Sequence, residues 1–159
     1  SKAAVSHPEI KFRYIKDGEV VFSTNGSGKL ADAIYSVYGR DFYNSLMEAQ
    51  FISDEISVKG FVSKPFMSRG NSKMQLCFVN NRIIKSKTVS AALLEGYKNR
   101  TMIGRFPACV LFININPSLV DINVHPRKTE ARFLMKEYCL MRYILQLKQH
   151  LIKVKKDLR

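Results

Sequence analysis

The sequence predicts an α/β fold: a two-layer sandwich in which one mixed sheet carries helices mainly on one face. Two kinds of pattern support this prediction. Apolar residues alternate with polar ones in several short runs, which indicates strands, and recur at spacings of three and four in others, which indicates helices. The 159 residues, 46% of them hydrophobic and 25% charged, suit a single domain over 1–159.

The first half of the chain predicts a hairpin and a helix. Apolar and polar residues alternate over 9–24 around Asp17-Gly18, a dipeptide typical of hairpin turns. A helix is predicted over 29–38, where Gly39 follows as a C-terminal cap. The nearly continuous apolar run at 108–115 indicates a strand buried on both faces. The remaining predicted elements are strands over 46–53, 56–64 and 73–79, and helices over 87–98 and 134–156.

The chain is strongly basic, with 26 Lys and Arg against 13 Asp and Glu and a formal net charge of +13. A field of this sign attracts polyanions, of which nucleic acid is the most frequent, although anionic membranes and acidic proteins also attract basic chains. No apolar run approaches the roughly 18 residues that a membrane span needs, so no membrane association is predicted. A soluble, intracellular protein is expected.

Metal sites and disulfides are not predicted. Cys77, Cys109 and Cys139 are widely spaced in apolar stretches, which indicates small buried side chains in a reducing compartment. No Cys-x-x-Cys pair occurs and the three histidines are isolated, so no group has the spacing of metal ligands. A carboxylate pair for acid–base chemistry is absent too, and no catalytic residue is predicted in this chain.

The most informative segment is 119–133, where an apolar approach ends in Val-His-Pro and a lysine follows. Pro126 pushes His125 towards an extended backbone, so Lys128 is expected at the tip of a stiff loop. A lysine ammonium is a compact point charge that suits a terminal phosphate, although a solvated loop lysine is the simpler interpretation without further context. Short polar side chains and the proline are expected to order the loop: Asp121, Asn123, His125 and Pro126.

Together with Val79-Asn80-Asn81-Arg82 upstream, this segment resembles the MutL family of DNA mismatch repair proteins. In that family a V-N-x-R strand end and a D-V-N-V-H-P-x-K loop occur in this order. The resemblance implies the fold of the second domain of ribosomal protein S5, with a left-handed βαβ crossover. The family usually has glycine where this chain has Asn81. Because asparagine tolerates a left-handed backbone better than most residues, the turn is expected to survive.

The resemblance assigns Lys128 a nucleotide role. In the MutL family the lysine of this loop reaches into the ATP site of the neighbouring domain and contacts the γ-phosphate. The family's Mg-ATP ligands, a helix with Glu and Asn, an Asp-x-Gly-x-Gly motif and a glycine-rich lid, do not occur in this sequence. The chain alone is therefore expected to bind no cofactor and to be no enzyme, as a fragment of a longer Mg-ATP-dependent ATPase.

The resemblance also implies partners. These are DNA without sequence preference, the upstream ATPase domain of the same chain, and a MutS-type mismatch recognition protein. A homodimer is expected for the full-length protein and a monomer for the fragment. The Val-His-Pro sequence favours a bacterial protein that is cytoplasmic and nucleoid-associated; a eukaryotic one would be nuclear.

A basic region surrounds the predicted helix 87–98, where Glu95 is the only acidic residue between positions 82 and 105. In the MutL family a basic residue at the position of Lys87 lines the DNA groove of the dimer, and such phosphate contacts give affinity without sequence recognition. A second basic cluster, at the end of the chain, equally suits a solubilising helix face. The predicted DNA-binding residues are Arg82, Lys85, Lys87, Lys98, Arg100 and Arg105.

Two other classes of protein compete with this interpretation. One is a stand-alone nucleic-acid-binding module of the same fold with no nucleotide role, which would have no need of the His-Pro-Arg-Lys loop. The other is the equivalent domain of a type II topoisomerase, whose ATP-sensing lysine lies in a Gln-Thr-Lys motif. That motif does not occur here, so the topoisomerase alternative ranks last.

Overall fold

The computed structural model describes residues 1–54, 56–64, 67–85, 87–99 and 101–115, without the side chains of Thr88 and Ala92. The chain divides into two compact units, Ser1–Met47 and the part from Glu48 onward. The prediction of one domain over 1–159 stays a prediction. The predicted helix over 134–156 and the loop motif over 119–133 lie outside the described residues.

The first unit contains a β-hairpin and three helices. Its elements are α1 (Lys2–Ser6), β1 (Arg13–Lys16), β2 (Glu19–Ser23), α2 (Leu30–Tyr38) and α3 (Arg40–Asn44). The predicted hairpin is confirmed: β1 and β2 pair antiparallel, and Asp17 and Gly18 have φ angles of 52° and 83°. Positive φ at both turn residues is the pattern of a type I′ turn, whose twist matches that of the strands.

The helices of this unit are only partly predictable from the sequence. Helix α2 is confirmed, and Gly39 follows it with a φ of 84° and donates its N–H to Tyr35 O at 2.9 Å. Helices α1 and α3 are not predicted. Each has five residues, little more than one turn, so apolar periodicity has no room to repeat.

The second unit is built on a five-stranded mixed sheet with the strand order β3-β4-β7-β5-β6. Its elements are β3 (Leu46–Ile52, whose first two residues belong to the first unit), β4 (Ile56–Ser63), β5 (Gln75–Val79), β6 (Arg82–Ile84), α4 (Lys87–Gly96) and β7 (Cys109–Ile115). Strand β7 pairs antiparallel with β4 and parallel with β5, and β6 pairs antiparallel with β5 at the edge of the sheet. The predicted mixed α/β fold is therefore confirmed.

The core of the sheet lies around β7. Val110, Leu111 and Ile113 are fully buried, as the continuous apolar run predicts. Phe112 stacks on Phe78 of the neighbouring strand β5, with ring centroids 4.8 Å apart. Aromatic pairs at this separation add to the stabilisation that burial alone provides.

Helix α4 lies in the connection between the parallel strands β5 and β7. Val89 and Leu93 are buried on one of its faces, as their spacing of four predicts. Ser90 Oγ donates to Gln75 Oε1 at 2.7 Å, and Gln75 Nε2 donates to Pro107 O at 3.0 Å. Gln75 therefore links the helix to the approach to β7. The resemblance implies a left-handed sense for this crossover.

Two boundaries and one strand in this unit differ from the sequence prediction. Strand β5 begins at Gln75 rather than at 73, because Ser72–Met74 forms a 3₁₀ turn. Helix α4 ends at Gly96 rather than at 98, and the left-handed backbone of Asn99 (φ 65°) follows. Strand β6 is not predicted at all, since three residues are too few to show an alternation.

Strand β4 contains a glycine that the sheet requires. Gly60 pairs with Leu111 and has a φ of 147°, in the region that side chains disfavour. A Cβ atom at this position would lie 2.0 Å from Val110 O. Strand β7 can therefore approach β4 here only because position 60 has no side chain.

We expect Gly60→Ala to lower the free energy of unfolding by about 3 kcal/mol or more, because backbone strain alone costs on the order of 1–3 kcal/mol. The clash with Val110 O adds to that strain. A urea titration followed by circular dichroism measures the loss. Gly104→Ala is the matched control, since Gly104 has a φ of 74° but no atom within 4 Å of an added Cβ. Equal losses in the two variants would contradict the close approach.

Candidate functional site

The Val-Asn-Asn-Arg segment forms the turn between β5 and β6. Val79 pairs with Arg82, so Asn80 and Asn81 are the two loop residues of a hairpin, with φ angles of 46° and 63°. Apart from glycine, asparagine and aspartate adopt this left-handed conformation most readily. The expectation that Asn81 preserves the turn is confirmed.

Asn80 also holds the C-terminal end of β7. Its backbone N–H donates to Ile113 O at 2.9 Å. Its side-chain Oδ1 accepts a hydrogen bond from the Ile115 N–H at 2.9 Å, and its Nδ2 donates to Ile115 O at 3.4 Å. The side-chain amide thus binds both backbone groups of Ile115, as a neighbouring strand would, beyond the point where β5 ends. We refer to these three hydrogen bonds as the Asn80 clamp.

No local sequence pattern reveals this clamp, because Asn80 and Ile115 are separated by 35 positions. The V-N-x-R resemblance is the one signal that marks Asn80, and it carries no information about the contact. The segment after Ile115 contains five residues with predicted roles, all of which lie outside the described residues and keep those roles as predictions: Asp121, Asn123, His125, Pro126 and Lys128.

Three of the predicted DNA-binding residues precede or begin α4 in the chain. Arg82 begins the edge strand β6, Lys85 follows that strand, and Lys87 begins the helix. Their side chains are exposed, and none of them forms an ion pair within the described residues. The sequence has no acidic residue between positions 56 and 94, and the positive end of the helix dipole adds to the local potential. We call Arg82, Lys85 and Lys87 the N-terminal basic group.

Two further predicted residues lie beyond the other end of the helix. Lys98 is exposed, with its Nζ 3.5 Å from a carboxylate oxygen of Glu95. Arg105 is exposed and donates from Nη2 to Ser68 O at 2.9 Å. The ten residues of α4 span about 15 Å at 1.5 Å per residue, so the predicted residues form two groups rather than one cluster. Arg100 lies outside the described residues.

The cysteines of the second unit belong to the core. Cys77 and Cys109 are buried free thiols on adjacent strands, as predicted, with their Sγ atoms 3.8 Å apart. The hydrogen bond with Cys77, together with burial, raises the pKa of the Cys109 thiol well above its usual range. Cys109 therefore stays protonated and is a poor nucleophile. Cys139 lies outside the described residues.

Neither a metal cluster nor a membrane-spanning helix occurs in the described ranges. Within them, no three side chains of histidine, cysteine, aspartate or glutamate come together as a metal ion would require. The helices among these residues are too short or too polar to span a membrane.

Comparison with known proteins agrees with the motifs. The family described as "DNA mismatch repair protein, C-terminal domain" matches residues 34–152. The DNA mismatch repair protein MutL of Thermoanaerobacter sp. strain X514 is 39% identical over 133 residues, which cover 84% of this chain. The MutL of Staphylococcus saprophyticus is 39% identical over 146 residues, or 92% of this chain. The aligned residues amount to 22% of the length of each relative.

Solved structures agree on the fold. A structure described as the N terminal domain of a DNA repair protein has a TM-score of 0.77 and 23% identity, and the match covers 99% of this chain and 53% of that one. The ATPase domain of the mismatch repair endonuclease MutL from Aquifex aeolicus has a TM-score of 0.52 and 17% identity, with coverages of 84% and 46%.

These findings define a domain of a DNA mismatch repair protein. The chain belongs to the MutL family, as the V-N-x-R and H-P-x-K motifs predict.

We expect Asn80→Gly to expose the Ile115 amide to hydrogen exchange and to lower the free energy of unfolding by roughly 1–3 kcal/mol, for two lost hydrogen bonds. Glycine keeps the left-handed backbone, so the loss isolates the side chain. The measurement is amide exchange by NMR together with a urea titration. Asn81→Gly is the matched control, because the Asn81 side chain makes no hydrogen bond within the described residues. Unchanged exchange at Ile115 in Asn80→Gly would show that the clamp does not hold the strand end.

Proposed function

We propose that this chain is a domain of a MutL-type, ATP-driven DNA clamp that binds duplex DNA and supplies Lys128 to the ATP site of the preceding domain. The observation that carries the DNA-binding part is the N-terminal basic group, three exposed cations without acidic partners in the described residues. Membership of a mismatch repair family supports the biological context. The chain spans 22% of the MutL relatives, so the activity of the whole protein belongs to this proposal.

The type of residue favours binding without sequence preference. Lys85 and Lys87 present flexible ammonium groups that suit phosphate oxygens, which are the same in every sequence. No aromatic side chain lies between Arg82 and Lys87 to stack on unpaired bases. The N-terminal basic group therefore suits the backbone of duplex DNA.

The proposed role of Lys128 rests on the family motif and on the Asn80 clamp. The clamp fixes Ile115, and the segment that contains Lys128 continues from that strand end. A contact with a γ-phosphate needs an ammonium held in a defined geometry, and Ile115 is a fixed point 13 positions before Lys128 in the chain. The residues that hold Mg-ATP would come from the upstream domain, since this sequence lacks them.

The hairpin β1–β2 supports the proposal that an upstream ATPase domain packs on the first unit. Ile15, Val20 and Val21 are about half exposed, and a two-stranded sheet is marginally stable in water by itself. The match to the Aquifex aeolicus ATPase domain covers 46% of that chain, which leaves a large remainder to cover such a surface. The matched family is described as a C-terminal domain, whereas the matched structure is described as an N terminal domain. Both descriptions would apply if this chain formed the C-terminal part of an N-terminal ATPase region.

Further partners follow from family membership. We propose that the full-length protein is a homodimer, that it acts with a MutS-type mismatch recognition protein, and that it lies in the bacterial cytoplasm on the nucleoid. The chain by itself would be a monomer that binds no nucleotide.

We expect the double change Lys85→Glu with Lys87→Glu to weaken binding of the 159-residue chain to duplex DNA of every sequence tested. Two lost phosphate contacts should reduce the slope of log affinity against log salt by about 2. Fluorescence anisotropy over a salt series measures both the affinity and this slope. The matched control is Lys11→Glu with Lys16→Glu, which makes the same charge change at two exposed positions of the first unit. Equal losses in the two double variants would mean that only net charge matters.

We expect Lys128→Ala in the full-length protein to lower ATP turnover about a hundredfold, the typical effect of removing one preorganised charge contact from a transition state. Lys128→Arg should restore the rate only in part, because a planar guanidinium cannot occupy the same point as an ammonium. Arg127→Ala is the matched control, since it removes the neighbouring cation at the variable position of H-P-x-K. Unchanged turnover in Lys128→Ala would leave a solvated lysine and contradict the nucleotide role.

A further inference from the structure

The turn between α4 and β7 presents two apolar side chains to solvent. Met102 is 77% exposed and Ile103 is fully exposed, more than any other large hydrophobic residue in the described part of the chain. Single exposed apolar residues are ordinary on protein surfaces. Two adjacent ones at the apex of a turn are less usual, because turn apices favour polar residues, glycine and proline.

This apex is a defined structure. Arg105 N donates to Met102 O at 3.1 Å, and Gly104, the third residue, has a φ of 74°. This hydrogen bond and the positive φ at the third residue are those of a type II turn. Ile103 therefore occupies the outer corner, where the chain reverses direction. We call these four residues the 102–105 turn.

The base of the 102–105 turn is attached to the rest of the unit on both sides. Arg69 and Phe106 form an isolated β-bridge, with backbone nitrogen to carbonyl oxygen distances of 2.7 and 2.8 Å in the two directions. The Arg105 guanidinium adds its hydrogen bond to Ser68 O. On the other side, Thr101 N donates to the backbone of Tyr97, a buried residue whose hydroxyl binds Ser63 O. A turn held in this way loses little entropy when a partner binds it.

The charged residues near the turn indicate what kind of partner could bind it. Lys98 and Arg105 are exposed cations before and after it in the chain, and the nearest acidic residue in the sequence is Glu95, which pairs with Lys98. A partner must therefore offer negative charge at its surface and an apolar interior that accepts aliphatic side chains. Duplex DNA meets both conditions, since methionine and isoleucine are among the side chains that insert between base steps from the minor groove, flanked by basic residues.

The basic residues that precede and follow α4 in the chain favour DNA over an acidic protein surface. The N-terminal basic group precedes or begins this helix, which is about 15 Å long, or roughly four base steps at 3.4 Å each, and the 102–105 turn follows it in the chain. A duplex is longer than this helix and offers phosphates along its whole length. We propose that the 102–105 turn inserts Met102 and Ile103 into the minor groove and unstacks a base step. This inference rests on the proposed DNA binding and adds deformation of the duplex to it.

The test uses the 159-residue chain and a short duplex that carries 2-aminopurine at its centre and a donor–acceptor dye pair at its ends. We expect wild-type protein to increase the 2-aminopurine fluorescence, which reports unstacking, and to shorten the distance between the dyes, which reports bending. Met102→Ser with Ile103→Ser should lose both signals. Its affinity should fall about tenfold, because the gain from burying two aliphatic side chains is partly offset by the cost of unstacking the base step, while the salt dependence stays unchanged.

Two further variants sharpen the test. Met102→Ser with Ile103→Phe should recover the 2-aminopurine signal, because an aromatic wedge also separates bases. Ile52→Ser is the matched control, since Ile52 is 60% exposed at the end of β3 and should leave every signal unchanged.

The outcomes separate this inference from the proposed function. If wild-type protein binds DNA without unstacking or bending it, or if the double serine variant keeps both signals, the insertion is wrong while DNA binding stands. If the double serine variant instead loses binding to a MutS-type protein, the turn docks a protein and the insertion is again wrong. If wild-type protein does not bind the duplex at all, the proposed DNA binding itself fails.

Discussion

Strand β7 is paired along both of its edges, and the turn and the glycine on either side of it depend on this double pairing. On one side its antiparallel partner β4 needs glycine at position 60, because Val110 O occupies the place of a Cβ. On the other side its parallel partner β5 ends where Asn80 can bind Ile115. The strand therefore joins two regions: the 102–105 turn precedes it and the segment that contains Lys128 follows it. A buried strand of this kind deforms little, because protein interiors are close-packed, so its two ends keep fixed positions relative to each other.

The sequence predicts those parts of the fold that repeat a local pattern. Three elements show this: the Asp17-Gly18 hairpin, helix α2 with Gly39, and the buried strand β7. Each has a hydrophobic pattern or a turn residue that is typical of one kind of secondary structure. Helices α1 and α3 and strand β6 are too short to show a period. Register and strand order depend on contacts between distant residues, so no local pattern contains them.

The candidate site also contains features that the sequence predicts and features that only the structure shows. The chemistry of Lys85 and Lys87 is visible in the sequence because their charges need no partner to be recognised. The separation of the basic residues into two groups is not visible, since it depends on where α4 begins and ends. The Asn80 clamp joins positions 35 apart, and Met102-Ile103 resembles the start of an apolar strand until the turn exposes it. Sequence therefore identifies candidate residues, whereas the structure shows which elements carry them and which contacts they make.

The two regions at the ends of α4 would contribute to DNA binding through different physics. Contacts between lysines and phosphates release counterions, so their contribution falls as salt rises and is the same for every sequence. An apolar wedge is insensitive to salt, and its contribution depends on how much free energy the local base step needs to unstack. A mismatched base needs less free energy to leave the stack than a paired one. A domain with both elements would hold any duplex through its charges, and the 102–105 turn would make that hold stronger where the duplex deforms easily.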